Sequence, residues 1–368
     1  IGMNHYRFQY EDERVEVDIN LPDSESYASP YPLGMHQVAR EYFSVIHSGE
    51  GDGWDIDRPC MSSILSFQGR LYLIDAGPNL EAILKALSLS VNELEGIFHT
   101  HSHDDHLAGL SALLQSNHRL RYFTVPMVRA AVTKKLAALL SMDEEEFSIF
   151  FDVVDLDPET WNDVDGLEVK PMMSPHPVET SVFQFRALGS NGYKTYAHLA
   201  DIAANRVLSN MVTDDADKPG LSPALFQKVK SNYGAFANLK KIDIGGGLIH
   251  GDAEDFVDDE SDKIVLAHVA RPLTSEERQI GSGADFGTTD VLIPATQEYL
   301  RRLAYTYLQS YFPKLPVSQL HILLNNELRT FNPHEILVRE GELINEVVLV
   351  LSGNAEALRA GSSEIIRL

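Results

Sequence analysis

The run Thr100-His101-Ser102-His103-Asp104-Asp105-His106 packs imidazole and carboxylate groups more densely than solubility requires. His101 and His103 stand at strand spacing, so both rings can point the same way. Asp105 and His106 follow at the turn and bring a carboxylate and a third imidazole to the same end of the sheet. Neutral imidazole and carboxylate suit zinc, iron or manganese, and no thiolate is at hand. His101, His103, Asp105 and His106 are too many ligands for one ion to take from one short segment. They divide more naturally between two adjacent ions.

The elements on either side explain how such a cluster is held. Met61 to Phe67 and Leu71 to Ile74 read as strands joined at Gln68-Gly69, and Ala76-Gly77-Pro78-Asn79 breaks the second one just after Asp75. Leu80, Ile83, Leu84 and Leu87 share one helical face. Gly96-Ile97-Phe98 is a short buried strand that runs straight into the cluster, after which Leu107, Leu110, Leu113 and Leu114 resume helical spacing. The cluster therefore sits where a strand hands over to a helix. Val128, Val132, Leu136 and Leu140 mark a further helix. Strands then dominate: Leu167 to Val169, Val182 to Ala187, Thr195 to Leu199, Ile264 to Ala267 and Val291 to Ile293. A boundary is expected at Pro294, with helices from Tyr299 to Tyr311 and Val317 to Leu328, and a small β segment starting at Phe331.

The chain has 368 residues, 44% of them hydrophobic, enough for a large core and two domains. The single cysteine, Cys60, excludes an intrachain disulfide framework and a Cys-based zinc cage, which accords with a reducing, cytoplasmic setting. No membrane span or targeting segment is legible. A net charge of −24 repels long polyanions and argues against a nucleic-acid groove.

His-x-His-x-Asp-His, as it stands from His101 to His106, is the signature of the metallo-β-lactamase superfamily, and the chain resembles that family beyond it. Asp75, after its apolar strand, is similar to the structural aspartate that supports the metal loop. His176, in Ser174-Pro175-His176-Pro177, resembles the histidine that completes the first ion's set, and Asp201 resembles the carboxylate that bridges both ions. Two histidines compete for the last ligand. His268, in Ile264-Val265-Leu266-Ala267-His268, resembles the final ligand of the phosphodiesterase branch, which includes ribonuclease Z. His250, after Gly245-Gly246-Gly247, then looks like that branch's proton donor to the leaving group. His198 reads equally as an orienting partner or an ordinary strand histidine, and His99 as off-site. Gly281 to Gly287 reads as a glycine-rich turn, with a phosphate-binding backbone nest as its alternative.

The resemblance implies an α/β fold: a four-layer αββα sandwich over residues 1–294. Residues 295–368 would form a helical linker and a partial helix-plus-β-roll domain. Phe331 to Glu342 and Val348 to Gly353 resemble the opening strands of a cyclic-nucleotide-binding jelly roll, so a cyclic nucleotide is an expected partner there. It also implies a hydrolase with two divalent ions, zinc first, manganese or iron as alternatives. His101, His103 and His176 would hold one ion and Asp105, His106 and His268 the other, with Asp201 between them. Asp105 and His250 would be catalytic, and the substrate a small phosphodiester or nucleotide-like ester, with no long nucleic acid and no membrane as partners. A homodimer is compatible with this reading. The alternative from a different class is a di-iron oxygen-binding or redox sensor on the same cage.

Overall fold

A computed structural model describes residues 1–368 except 3, 26, 216, 333–334, 354, 359–364 and 368. Two large sheets face each other. One has seven strands, in spatial order Thr289–Ile293, Phe43–Gly49, Ser62–Phe67, Arg70–Ile74, Leu94–Phe98, Leu120–Thr124 and Phe151–Asp155. The other has six, in the order Ile264–Ala267, Leu239–Asp243, Gly192–Leu199, Ser181–Gly189, Leu167–Met173 and Asn162–Val164.

Alternation along the strands sorts the apolar side chains into layers. Leu65, Tyr72, Ile74, Phe98 and Phe123 point inward and meet Val169, Phe183, Phe185 and Val265 of the facing sheet. Phe98 stacks on Phe123 at 4.6 Å and meets Phe185 edge-on at 5.0 Å. The opposite parity, Ile64, Leu73, Ile97 and Tyr122, packs on Ile83 and Leu84 of the helix Leu80–Ala86 and on Val128, Val132 and Leu136 of the helix Pro126–Leu140. On the far side, Met172, Leu199, Ile242 and Leu266 pack on Val229 and Tyr233 of the helix Pro223–Tyr233. The result is the expected four-layer αββα sandwich. Sheets covered on both faces bury their central strands throughout, and Phe43–Gly49 and Leu239–Asp243 are buried at every position, His47, Lys240 and Lys241 included.

Parallel pairing sets where chemistry can occur. Arg70–Ile74, Leu94–Phe98, Leu120–Thr124 and Phe151–Asp155 run parallel, as do Gly192–Leu199, Leu239–Asp243 and Ile264–Ala267. Asp75, the histidine cluster, Asp201, Asp243 and His268 all end or follow such strands at their carboxyl ends, where α/β sheets place their ligands.

The C-terminal expectations need correction. The helix expected to reach Leu328 ends at Leu324. No strand starts at Phe331 among the described residues. The first strand there is Glu356–Leu358, paired with Ile365–Arg367. Pro333 and His334 lie outside the described residues. Leu343 and Val347 are 91% and 99% exposed, and apolar alternation without a facing layer to bury it does not sustain strands. An exposed hairpin, His5–Tyr10 with Glu13–Asp18, was not expected from the sequence. No helix among the described residues is long and apolar enough to cross a membrane.

Candidate metal centre

The strand ahead of the cluster ends at Phe98, so His101 and His103 lie on the loop that follows rather than in the strand. The helix Asp104–Leu107 then carries Asp105 and His106. Its backbone lies directly on the Asp75 loop: a Cβ on Gly77 would come within 2.4 Å of the Asp105 carbonyl oxygen, so only glycine fits.

Asp75 is fully buried and organises the loop. Its carboxylate accepts from the Thr100 amide at 2.8 Å, the Thr100 hydroxyl at 2.7 Å and His106 Nδ1 at 2.8 Å. The Thr100 oxygen in turn accepts from His101 Nδ1 at 2.9 Å. Both rings thus donate through Nδ1 and turn Nε2 towards the centre, the orientation metal-binding imidazoles take.

Asp201 lies at the middle, and its two oxygens face different histidines. Oδ2 is 3.3 Å from His101 Nε2, 3.3 Å from His176 Nε2 and 4.0 Å from His103 Nδ1. Oδ1 is 3.0 Å from His106 Nε2 and 3.5 Å from His268 Nε2. Asp105 Oδ2 closes the second group, 3.2 Å from both His106 and His268. His176 Nε2 and His103 Nδ1 are 3.1 Å apart. Tetrahedral ligands bound at about 2.0–2.1 Å lie ~3.4 Å from one another, so these spacings are compatible with a shared divalent ion in each group. All seven residues expected as ligands come together here.

Donor chemistry fits divalent cations. His101 Nε2, His106 Nε2 and both oxygens of Asp201 are buried without a hydrogen-bond partner among the described residues, an expensive state unless something charged satisfies them. Burial pushes His176 down to about 4 and lowers His103, so both imidazoles are neutral and ready to bind. Burial also acts against charge on His106 and His268, but carboxylates, Asp105 and Asp201 foremost for His106 and Asp201 and Asp243 for His268, hold both well above the usual histidine range. A cation would replace those protons.

Asp75, Asp201 and His268 all have positive φ, at 62°, 49° and 63°. Left-handed backbone at a non-glycine residue costs of order 1 kcal/mol or more, and its recurrence at three residues of one site marks strain kept for use.

Sequence reasoning missed Asp243. Its Oδ2 is 3.1 Å from His250 Nδ1, its Oδ1 is 3.3 Å from His268 Nδ1, and it also accepts from the amides of Ile202 and Gly245. The available signal was a carboxylate ending a short segment two residues before three glycines, much as Asp75 stands two residues before Gly77. His250 packs 4.6 Å from the His268 ring. His99 bonds the Tyr122 hydroxyl, and His198 that of Tyr196. The Gly281 to Gly287 turn pairs with the sheet edge through Ser282, whose amide donates to Ile264.

The fold and this site define a metallo-β-lactamase-fold protein. A solved structure of the metallo-β-lactamase-fold protein YhfI from Bacillus subtilis superposes with a TM-score of 0.51 at 13% identity, over 68% of this chain and 99% of that one. A family model described as Anti-Pycsar protein Apyc1 matches residues 43–214, which takes in the cluster, His176 and Asp201 but stops short of His250 and His268. Ribonuclease Z of Thermoplasma acidophilum is 26% identical over 138 residues, 36% of this chain and 45% of that protein. Ribonuclease Z of Clostridium kluyveri is 43% identical over 58 residues, 16% of this chain and 19% of that protein. The chain thus spans less than half the length of the curated relatives it matches.

Proposed function

We propose that this chain is a metal-dependent hydrolase of a small phosphodiester or nucleotide-like ester, its activity residing in residues 1–294 with 295–368 as an appended module. The observation that carries the reading is the division of ligands by Asp201. One oxygen faces His101, His103 and His176, and the other faces His106 and His268, with Asp105 beside them. Two divalent ions held there, zinc first, would lower the pKa of a water between them from about 15.7 towards ~7 and neutralise charge developing on the ester.

The chain's own residues supply proton transfer and access. Asp105 lies 3.2 Å from both His106 and His268 and would accept the water's proton. His250 is held through Nδ1 by Asp243, which leaves its other nitrogen free to protonate a departing alkoxide. Burial disfavours its charge, but the Asp243 hydrogen bond and carboxylate outweigh that and raise its pKa, which favours the proton-bearing form a general acid needs. General-acid help of this kind is worth ~10²–10⁴-fold. A cavity of about 270 Å³ beside the centre, lined by Asp52, Gly245, Val269, Ala270 and Arg271, suits a small ester. The −24 net charge works against a long RNA.

The test is a substrate panel with and without chelator: a chromogenic phosphodiester, cyclic mononucleotides, a precursor tRNA, a thioester and a β-lactam. Chelator-sensitive turnover of the small phosphodiesters ahead of the rest is expected. Preference for the thioester, the lactam or the tRNA refutes the substrate class.

A further inference from the structure

A fully buried lysine lies between the sheets, behind the metal centre. Lys241 is 0% exposed, and its ammonium donates to the carbonyls of Gly49 and Ser62, both at 2.7 Å, across the gap to the opposite sheet. Ser63 Oγ is 3.4 Å away, and Glu50 Oε1 forms an ion pair at 2.8 Å. An apolar side chain of similar length would fill this place at lower cost, because charges buried in a core repay their desolvation poorly. What the pair provides is location.

Glu50 leads directly to the second group of ligands. Its carbonyl oxygen accepts from the amides of both His268, at 2.8 Å, and Val269, at 3.1 Å. His268 is left-handed there, with φ at 63°, a conformation a histidine keeps only when its surroundings impose it. Lys241 and Asp243 stand two apart on one strand and point to the same side, while Ile242 between them packs in the outer layer. One face of that strand therefore fixes His268 twice. Asp243 Oδ1 lies 3.3 Å from its Nδ1, and the Glu50 carbonyl, beside the Lys241 ion pair, holds its backbone.

Resting on the dinuclear reading above, we infer that Lys241 and Glu50 form a cross-sheet pair whose role is to position His268 for the second ion. They are positioning residues: neither touches the ligand set with its own side chain, and the ion held by His101, His103 and His176 does not depend on them.

The test compares Lys241→Met with the double variant Lys241→Met/Glu50→Gln. The single change leaves the Glu50 carboxylate with only His47 Nδ1, 3.5 Å away, among the described residues, and lowers thermal stability; the double change removes both charges and restores most of it. Zinc is titrated into metal-free protein against a chromogenic chelator, and the step absent from Asp105→Ala identifies the second ion. Expected in the double variant is a first step within about threefold of the unsubstituted chain and a second step weakened roughly tenfold or more. Recovery of the second step together with stability, or equal weakening of both steps, overturns the inference and makes the pair merely structural. An unsubstituted chain with fewer than two steps overturns the dinuclear reading and this inference with it. Two unchanged steps in the double variant overturn the inference alone.

Discussion

Replacing Asp75 with asparagine keeps the size of the side chain and changes its chemistry. The carboxylate accepts three hydrogen bonds, from the Thr100 amide, the Thr100 hydroxyl and His106 Nδ1. An asparagine can still accept from the Thr100 amide, but its NH2 then faces His106 Nδ1–H, donor against donor. The ring relieves this by giving up its Nδ1 proton and keeping the one on Nε2, the atom that should face the ion. Hydrogen bonds to a charged group are worth ~1.5–3 kcal/mol each, and part of that survives, so the metal-free chain should lose about 2 kcal/mol. The titration of Asp75 gives a matching figure. Burial pushes its pKa up, the His106 charge and hydrogen bond more than offset this, and it falls from 3.8 to about 2, again about 2 kcal/mol. A depressed carboxylate stabilises above its unfolded pKa, so this contribution is present above 3.8 and lost as pH falls through about 2. With metal, the second ion should bind roughly 10–100-fold more weakly. Urea unfolding of the chelated protein and chelator competition measure the two effects, and nitrogen-15 spectra of the histidines report the tautomer. A second ion bound within about threefold of the unsubstituted chain, with His106 still protonated on Nδ1, would refute the reasoning.

Two further outcomes follow from the same geometry. His106 and His268 are raised well above the usual histidine range, whereas His103 and His176 are lowered. The second ion must therefore expel protons at neutral pH, and its affinity should climb up to about tenfold per pH unit for each, while the first ion's stays flatter; equal slopes in chelator competition contradict this. His250→Ala should keep both ions and slow poor leaving groups by ~10²–10⁴-fold while sparing good ones such as p-nitrophenolate. Lost metal would instead make His250 a ligand.

The sequence made the sandwich and most of the cluster legible because both rest on short-range patterns. Strand-ending apolar runs preceded Asp75 and Asp201, and the His101 to His106 spacing carried its own chemistry. Phe43–Gly49 and Leu239–Asp243 were less legible, since strands buried on both faces lack alternation and Lys240 and Lys241 mimic a surface. That disguise hid Asp243, which faces histidines 7 and 25 residues away in sequence, at 250 and 268. In the C-terminal segment, the pattern from Phe331 onward promised strands that exposed, unpartnered side chains such as Val347 do not support.

The central claim is that one chain holds two ions through Asp201. It is tested most directly by elemental analysis of protein purified without oxygen, beside Asp201→Ala, with a visible spectrum taken on exposure to air. The account predicts about two zinc or manganese ions per chain, no change in the spectrum, and loss of metal with activity in the variant. Full metal retention by Asp201→Ala would contradict the ligand set. Two irons with an oxygen-dependent absorption band would make the chain an oxygen-binding protein rather than a hydrolase.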